Sequence, residues 1–237
     1  MLGNIEFTSS GTLRSVLRDQ FRVLAFRRPG DHLRSRMGVS LGYGLVVTWV
    51  VGLGRYWDHP NAEWWQHAGL GSIGYVFLLA ALLWIIGWPL RPARWTYSNV
   101  LIFVCLTSLP AVLYAIPVER LVPLATAQLM NLWFLAAVAS WRVALLIWFL
   151  ARVAKLDAAQ IFAICGLLLA GTVTALAILN LEQAVFEIMG GNDRAATAGD
   201  RAYATVIAIT GISWLVLPVA VLFYGRLVWD RVRDGST

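Results

Sequence analysis

The sequence predicts an all-α fold: a polytopic membrane helix bundle of about six transmembrane helices, preceded by an amphipathic interfacial helix, with the N-terminus and C-terminus both cytoplasmic. Three observations carry this. Of the 237 residues, 59% are hydrophobic and 14% charged, where a soluble domain runs roughly 45–50% and about 25%. A water-soluble fold of this size cannot hide that much apolar surface. The apolar residues fall in runs of about 20, the length a spanning helix needs, and not in the roughly 10-residue alternating segments of a barrel. Finally, the 19 Lys and Arg gather in alternate loops, as cytoplasmic loops require.

The chain divides into an Arg-rich cytoplasmic arm (1–36), the bundle (37–225) and a short cytoplasmic tail (226–237). In the arm, Ser9-Ser10-Gly11 opens a helical pattern that Pro29-Gly30 closes. Leu13, Val16, Leu17, Phe21 and Leu24 share one face, and Arg14, Arg18 and Arg22 recur every four residues beside it. Arg27 and Arg28 follow. An apolar stripe flanked by Arg is the form of a helix lying on an anionic leaflet. These five arginines are the candidate surface for anionic lipid or a partner protein; the plainer reading is a membrane-surface anchor that fixes orientation.

Six spans follow. They are Met37–Gly54, Leu70–Leu90 (closed by Pro89 and Pro92), Asn99–Val118, a long run from Val122 to about Ala151, Ala158–Leu181 and Tyr203–Tyr224. With the N-terminus inside, fourteen basic residues lie on the cytoplasmic side, four lie outside, and Arg142 remains within a span. The acidic residues divide six inside and seven outside. The net charge of +6 therefore reads as membrane orientation and not as a nucleic-acid surface. Cys105 and Cys165 lie inside apolar runs and read as small buried hydrophobes. Gly42, Gly44, Gly52 and Gly54 stud the first span, where small residues allow close helix approach.

Two clusters carry candidate chemistry. In the fourth span Gln128, Asn131 and Arg142 fall in a narrow arc at 100° per residue. An ionisable group at membrane depth is a functional candidate, because it costs about 2.5–3.5 kcal/mol to insert. If the fifth helix continues outward to Met189, Asn180, Gln183 and Glu187 share a face, and Glu119, Glu182 and Glu187 rim an outer vestibule above Arg142. The arrangement suits an anion-binding cavity of a small transporter or channel subunit. The plainer reading is a polar network that pins helix packing. In the loop after the first span, His59, Glu63 and His67 sit at i, i+4 and i+8 of a short helix that Asp58 caps. Two His and a carboxylate can hold zinc or iron, although any short polar helix produces this spacing.

Enzyme motifs fail. His32, His59 and His67 all lie outside the spans, so no Ser–His pair or haem-ligating His pair exists at depth. There is no H-E-x-x-H and no paired intramembrane aspartate. No catalytic residue is assigned and no cofactor is predicted. Size, Arg and Trp richness and the missing targeting signals point to a bacterial inner membrane.

The Phe26-Arg27-Arg28-Pro29-Gly30-Asp31 lead-in, the Gly-rich first span and the closely spaced spans resemble, over Phe21 to Tyr224, the Yip1-type family of small polytopic membrane proteins. The resemblance implies a membrane-organising or partner-recruiting role instead of catalysis, and assigns no functional residue. The leading expectation is a non-enzymatic accessory protein acting through anionic lipids and a protein partner or a second copy of itself.

Overall fold

The computed structural model describes residues 9–30, 37–53, 64–178 and 199–234. The helices in chain order are α1 (Ser9–Leu24), α2 (Met37–Leu53), the four-residue α3 (Trp64–His67), α4 (Leu70–Gly87), α5 (Tyr97–Leu106), α6 (Leu124–Arg152), α7 (Ala158–Ile178) and α8 (Gly199–Asp234). Among the described residues there is no strand. Four segments are long and apolar enough to cross a membrane: Leu70–Leu90, Ala125–Arg152, Ala158–Ile178 and Ala208–Arg233. A fifth is a bent pair, Tyr97–Leu106 with Leu109–Ala115, angled by 40°. The described residues thus form an all-helical bundle with four to five candidate membrane spans.

Two expected spans take a different form. The first, α2, is apolar but only 17 residues long. The third, expected as one run over Asn99–Val118, breaks after Leu106 and continues as a 3-10 segment. Pro110 is the reason. It has no N–H to give to the carbonyl four residues back, and its ring obstructs a straight helix. Thr107 and Ser108 turn their hydroxyls onto carbonyls of the last turn: Thr107 Oγ1 lies 3.0 Å from both Phe103 O and Val104 O, and Ser108 Oγ donates to Cys105 O at 2.7 Å. By contrast α6 runs unbroken through Asn131, and α8 continues past Pro218 to Asp234.

Helix starts are encoded locally. Thr96 accepts the Asn99 N–H to cap α5. Asp157 and Gln160 form a reciprocal box at the head of α7, with Gln160 N donating to Asp157 Oδ1 at 2.9 Å and Asp157 N donating to Gln160 Oε1 at 3.3 Å.

The short α5 is the centre. Every residue from Val100 to Ser108 is buried. Helices α2 and α4 pack on it and on each other, and α6 closes another side, with Phe149 stacked on Phe103 at 4.1 Å between ring centroids. Helix α7 packs on α4 and α6, and α8 lies along α7, where Ala220 approaches Gly166. The α8 side chains Leu215, Val219 and Leu222 are exposed, as a lipid-facing helix requires. Close approach demands glycine at several points, Gly44 and Gly87 among them. A Cβ on Gly44 would stand 2.7 Å from the Cβ of Cys105, and one on Gly87 would stand 2.2 Å from the ring of Trp95.

Replacing Gly44 therefore forces α2 off α5. Gly44→Val is expected to lower stability by about 1–3 kcal/mol, read as an earlier thermal transition in mild detergent; Gly42→Val, which meets nothing within 4 Å, should leave the transition in place.

Candidate functional site

The arm is built into the bundle. Val16, Asp19, Gln20, Val23 and Leu24 of α1 are buried, whereas Leu13, Leu17 and Phe21 are exposed. The single apolar face expected from sequence is thus two: Val16 and Leu24 turn inward with Val23, and Leu13, Leu17 and Phe21 turn outward. The reason is a polar anchor. Gln20 Nε2 donates to Leu106 O at 3.2 Å, and Gln20 Oε1 accepts from the Tyr43 hydroxyl. Leu106 O is the carbonyl that Pro110, four residues on, leaves without a helical donor. Gln20 meets α5 roughly 14 Å along the axis from its start at Tyr97, so the arm packs into the flank of the bundle and not under its base.

Three further bonds hold the arm. Trp141 Nε1 of α6 donates to Leu24 O at 3.1 Å. Asp19 Oδ1 accepts from Gly30 N at 2.9 Å and lies 3.8 Å from Arg22. The helix ends in a Schellman turn: Arg27 N donates to Arg22 O and Phe26 N to Val23 O. Phe26 takes the left-handed position of that turn, with φ 58°. Arg14, Arg18, Arg22, Arg27 and Arg28 are exposed.

The basic segments meet at one end of the bundle. Ala93 N donates to Ala154 O at 2.9 Å, which joins the α4–α5 and α6–α7 connections. Arg231 of α8 donates to Leu90 O at 3.3 Å. Three carbonyls near the end of α4 thereby find side-chain donors, since Tyr224 also reaches Ile86 O (2.6 Å) and Trp95 reaches Trp84 O (3.0 Å). Arg91, Arg94 and Lys155, all at this end, have positive φ.

Arg142 lies half-buried in α6, with its guanidinium carbon 5.8 Å from the centre of the Tyr75 ring of α4. Among the described residues no carboxylate pairs with it. Gln128 and Asn131 are on the same unbroken helix and in the same arc, but Gln128 is roughly 21 Å along the axis from Arg142. The three therefore form a row and not a compact pocket. Glu119 lies in the 3-10 turn Val118–Arg120. Asn180, Glu182, Gln183 and Glu187 lie outside the described residues, as do His59 and Glu63. His67 ends α3. Among the described residues no cluster of three His, Cys, Asp or Glu could hold a metal ion.

The residues that sequence reasoning missed are Gln20, Tyr43 and the Leu106 carbonyl. The available signal was Pro110 within an apolar run, which predicts an orphaned carbonyl at Leu106. No family model, no curated protein and no solved structure matches the chain.

Gln20→Leu leaves the buried Leu106 O without its donor and takes the acceptor from the half-buried Tyr43 hydroxyl, at an expected cost of about 1–3 kcal/mol. Limited proteolysis should then cut the arm faster than in the wild type, while the cutting of the α6–α7 connection stays unchanged.

Proposed function

We propose that this is a non-enzymatic accessory protein of the bacterial inner membrane that acts through anionic lipids and a protein partner. In this reading α2 and the bent α5 segment each cross the membrane with the four long helices, making six spans with both termini cytoplasmic. At 17 residues α2 stands at the short limit for a span. The basic end then faces the cytoplasm, in keeping with the distribution of Lys and Arg. The Yip1-type resemblance points to the same kind of role.

One observation carries the proposal: α1 is anchored by its buried face while Leu13, Leu17 and Phe21 point outward beside exposed Arg14 and Arg18. An anchored helix with an apolar row and a cationic row outward suits the acyl–headgroup boundary of an anionic leaflet. Charge reversal in Arg14→Glu/Arg18→Glu should leave the thermal transition in place, lower the number of co-purifying anionic lipids and strip the partner. Unchanged retention of both would contradict the proposal.

A second reading rests on Arg142, a half-buried cation facing an aromatic ring at a depth where ionisable groups are costly. It makes the protein a small transporter or channel subunit with an anion or lipid headgroup at Arg142. Arg142→Gln should then keep the fold and abolish anion uptake into proteoliposomes; normal uptake in that variant rules this reading out.

A further inference from the structure

The segment after α1 and the end of α6 border an open cleft of about 320 Å³, lined by Phe26, Arg28, Trp148 and Arg152. We propose that this cleft binds the phosphate of an anionic phospholipid headgroup. The proposal deepens the lipid reading above and rests on it for the position of the leaflet; the anion site itself rests on the cleft.

Arg28 and Arg152, both exposed, line the same groove, and among the described residues no carboxylate pairs with either. Like charges held together without a counter-ion repel, and an anion between them removes that cost. A guanidinium offers a planar fork of donors that matches phosphate oxygens two at a time. The volume is in the range of small-molecule sites.

The level of the cleft selects a lipid. Helix α6 has 29 residues and so measures roughly 43 Å, against a hydrocarbon core of about 30 Å. With the basic end on the cytoplasmic side, as in the proposed topology, that excess places its last turn, with Arg152, in the headgroup layer. Trp148, one turn earlier, takes the place of an interfacial aromatic. Exposed Arg91, Arg94 and Lys155 at the same end add positive potential that draws anions toward the cleft.

Phe26 forms a wall of the cleft at a cost. A left-handed backbone costs a residue with a Cβ about 1–2 kcal/mol, and glycine is the common choice at this position of a Schellman turn. The chain instead places an aromatic there, 43% exposed, against the cleft. Strain kept beside two cations fits a ligand wall better than a simple helix stop.

The test is native mass spectrometry of the full chain in mild detergent, titrated separately with phosphatidylglycerol, phosphatidylcholine and inorganic phosphate. The wild type should retain one phosphatidylglycerol in preference to phosphatidylcholine. Arg28→Gln/Arg152→Gln should weaken that binding at least about tenfold, with the thermal transition of the empty protein unchanged. Arg152→Lys, which keeps the charge but not the fork, should fall between them. Arg14→Glu/Arg18→Glu should retain this tightest lipid. If Arg28→Gln/Arg152→Gln binds phosphatidylglycerol as the wild type does, the cleft assignment fails; loss of lipid in the arm variant alone would then leave the proposed function standing. Arginine-dependent retention of inorganic phosphate, with no preference between the two lipids, would overturn the lipid and assign the site to a soluble phosphate.

Discussion

The carbonyl of Leu106 has no partner within its own helix, because the residue four positions on is Pro110, and the arm and core are arranged around that unpaired oxygen. In an apolar interior a buried carbonyl must find a donor. Gln20 supplies it from the arm, and its own oxygen is in turn satisfied by Tyr43 of α2. One side-chain amide thus ties three elements together: the arm, the first apolar helix and the central one. At the same break the Thr107 and Ser108 hydroxyls bond carbonyls of the last turn of α5, and Thr48 Oγ1 of α2 stands 3.0 Å from Ser108 Oγ. Gly44, one turn before Thr48, brings the two backbones close enough for that contact.

Apolar helices gain little from the hydrophobic effect when lipid is the alternative solvent, so packing and hydrogen bonds must supply specificity. The end of α4 follows the same rule as the break in α5. Its last carbonyls are met by Trp95, Tyr224 and Arg231, and Trp95 can reach Trp84 O only because Gly87 has no side chain in its way. Helix ends that water would satisfy in a soluble protein are satisfied here by residues distant in sequence.

That distance explains what could be read from the sequence. Apolar run length located α4, α6 and α7 to within a few residues, since it is a local property; α8 runs ten residues beyond the expected Tyr224, through the segment expected as a separate tail. Asp157 and Thr96 as helix starts are equally local. The break in α5 was within reach through Pro110, but an apolar run of the right length obscures it. The inward turn of Asp19 and Gln20 was not legible. Helical periodicity ranks polar residues as outward, and only the tertiary pairing of Gln20 with Leu106, 86 residues apart, reverses that. Gln128, Asn131 and Arg142 do share one arc of an unbroken helix. Angular position says nothing of axial distance, however, and the roughly 21 Å between the ends of the row leaves Arg142 with Tyr75 instead. The Arg28–Arg152 cleft joins residues that no spacing rule would bring together.

An arm locked to the core positions its outward Leu and Arg rows as a fixed surface, which is what a lipid or partner platform requires. The most direct test of that lock is a double-mutant cycle between Gln20→Ala and Pro110→Ala, read as unfolding free energy in mild detergent. Alanine in place of proline restores an N–H that can take the Leu106 carbonyl. Gln20→Ala should cost about 1–3 kcal/mol with Pro110 present and markedly less in the Pro110→Ala background, giving a clear coupling energy. Equal cost in both backgrounds would mean that the unpaired carbonyl of Leu106 is not what holds the arm.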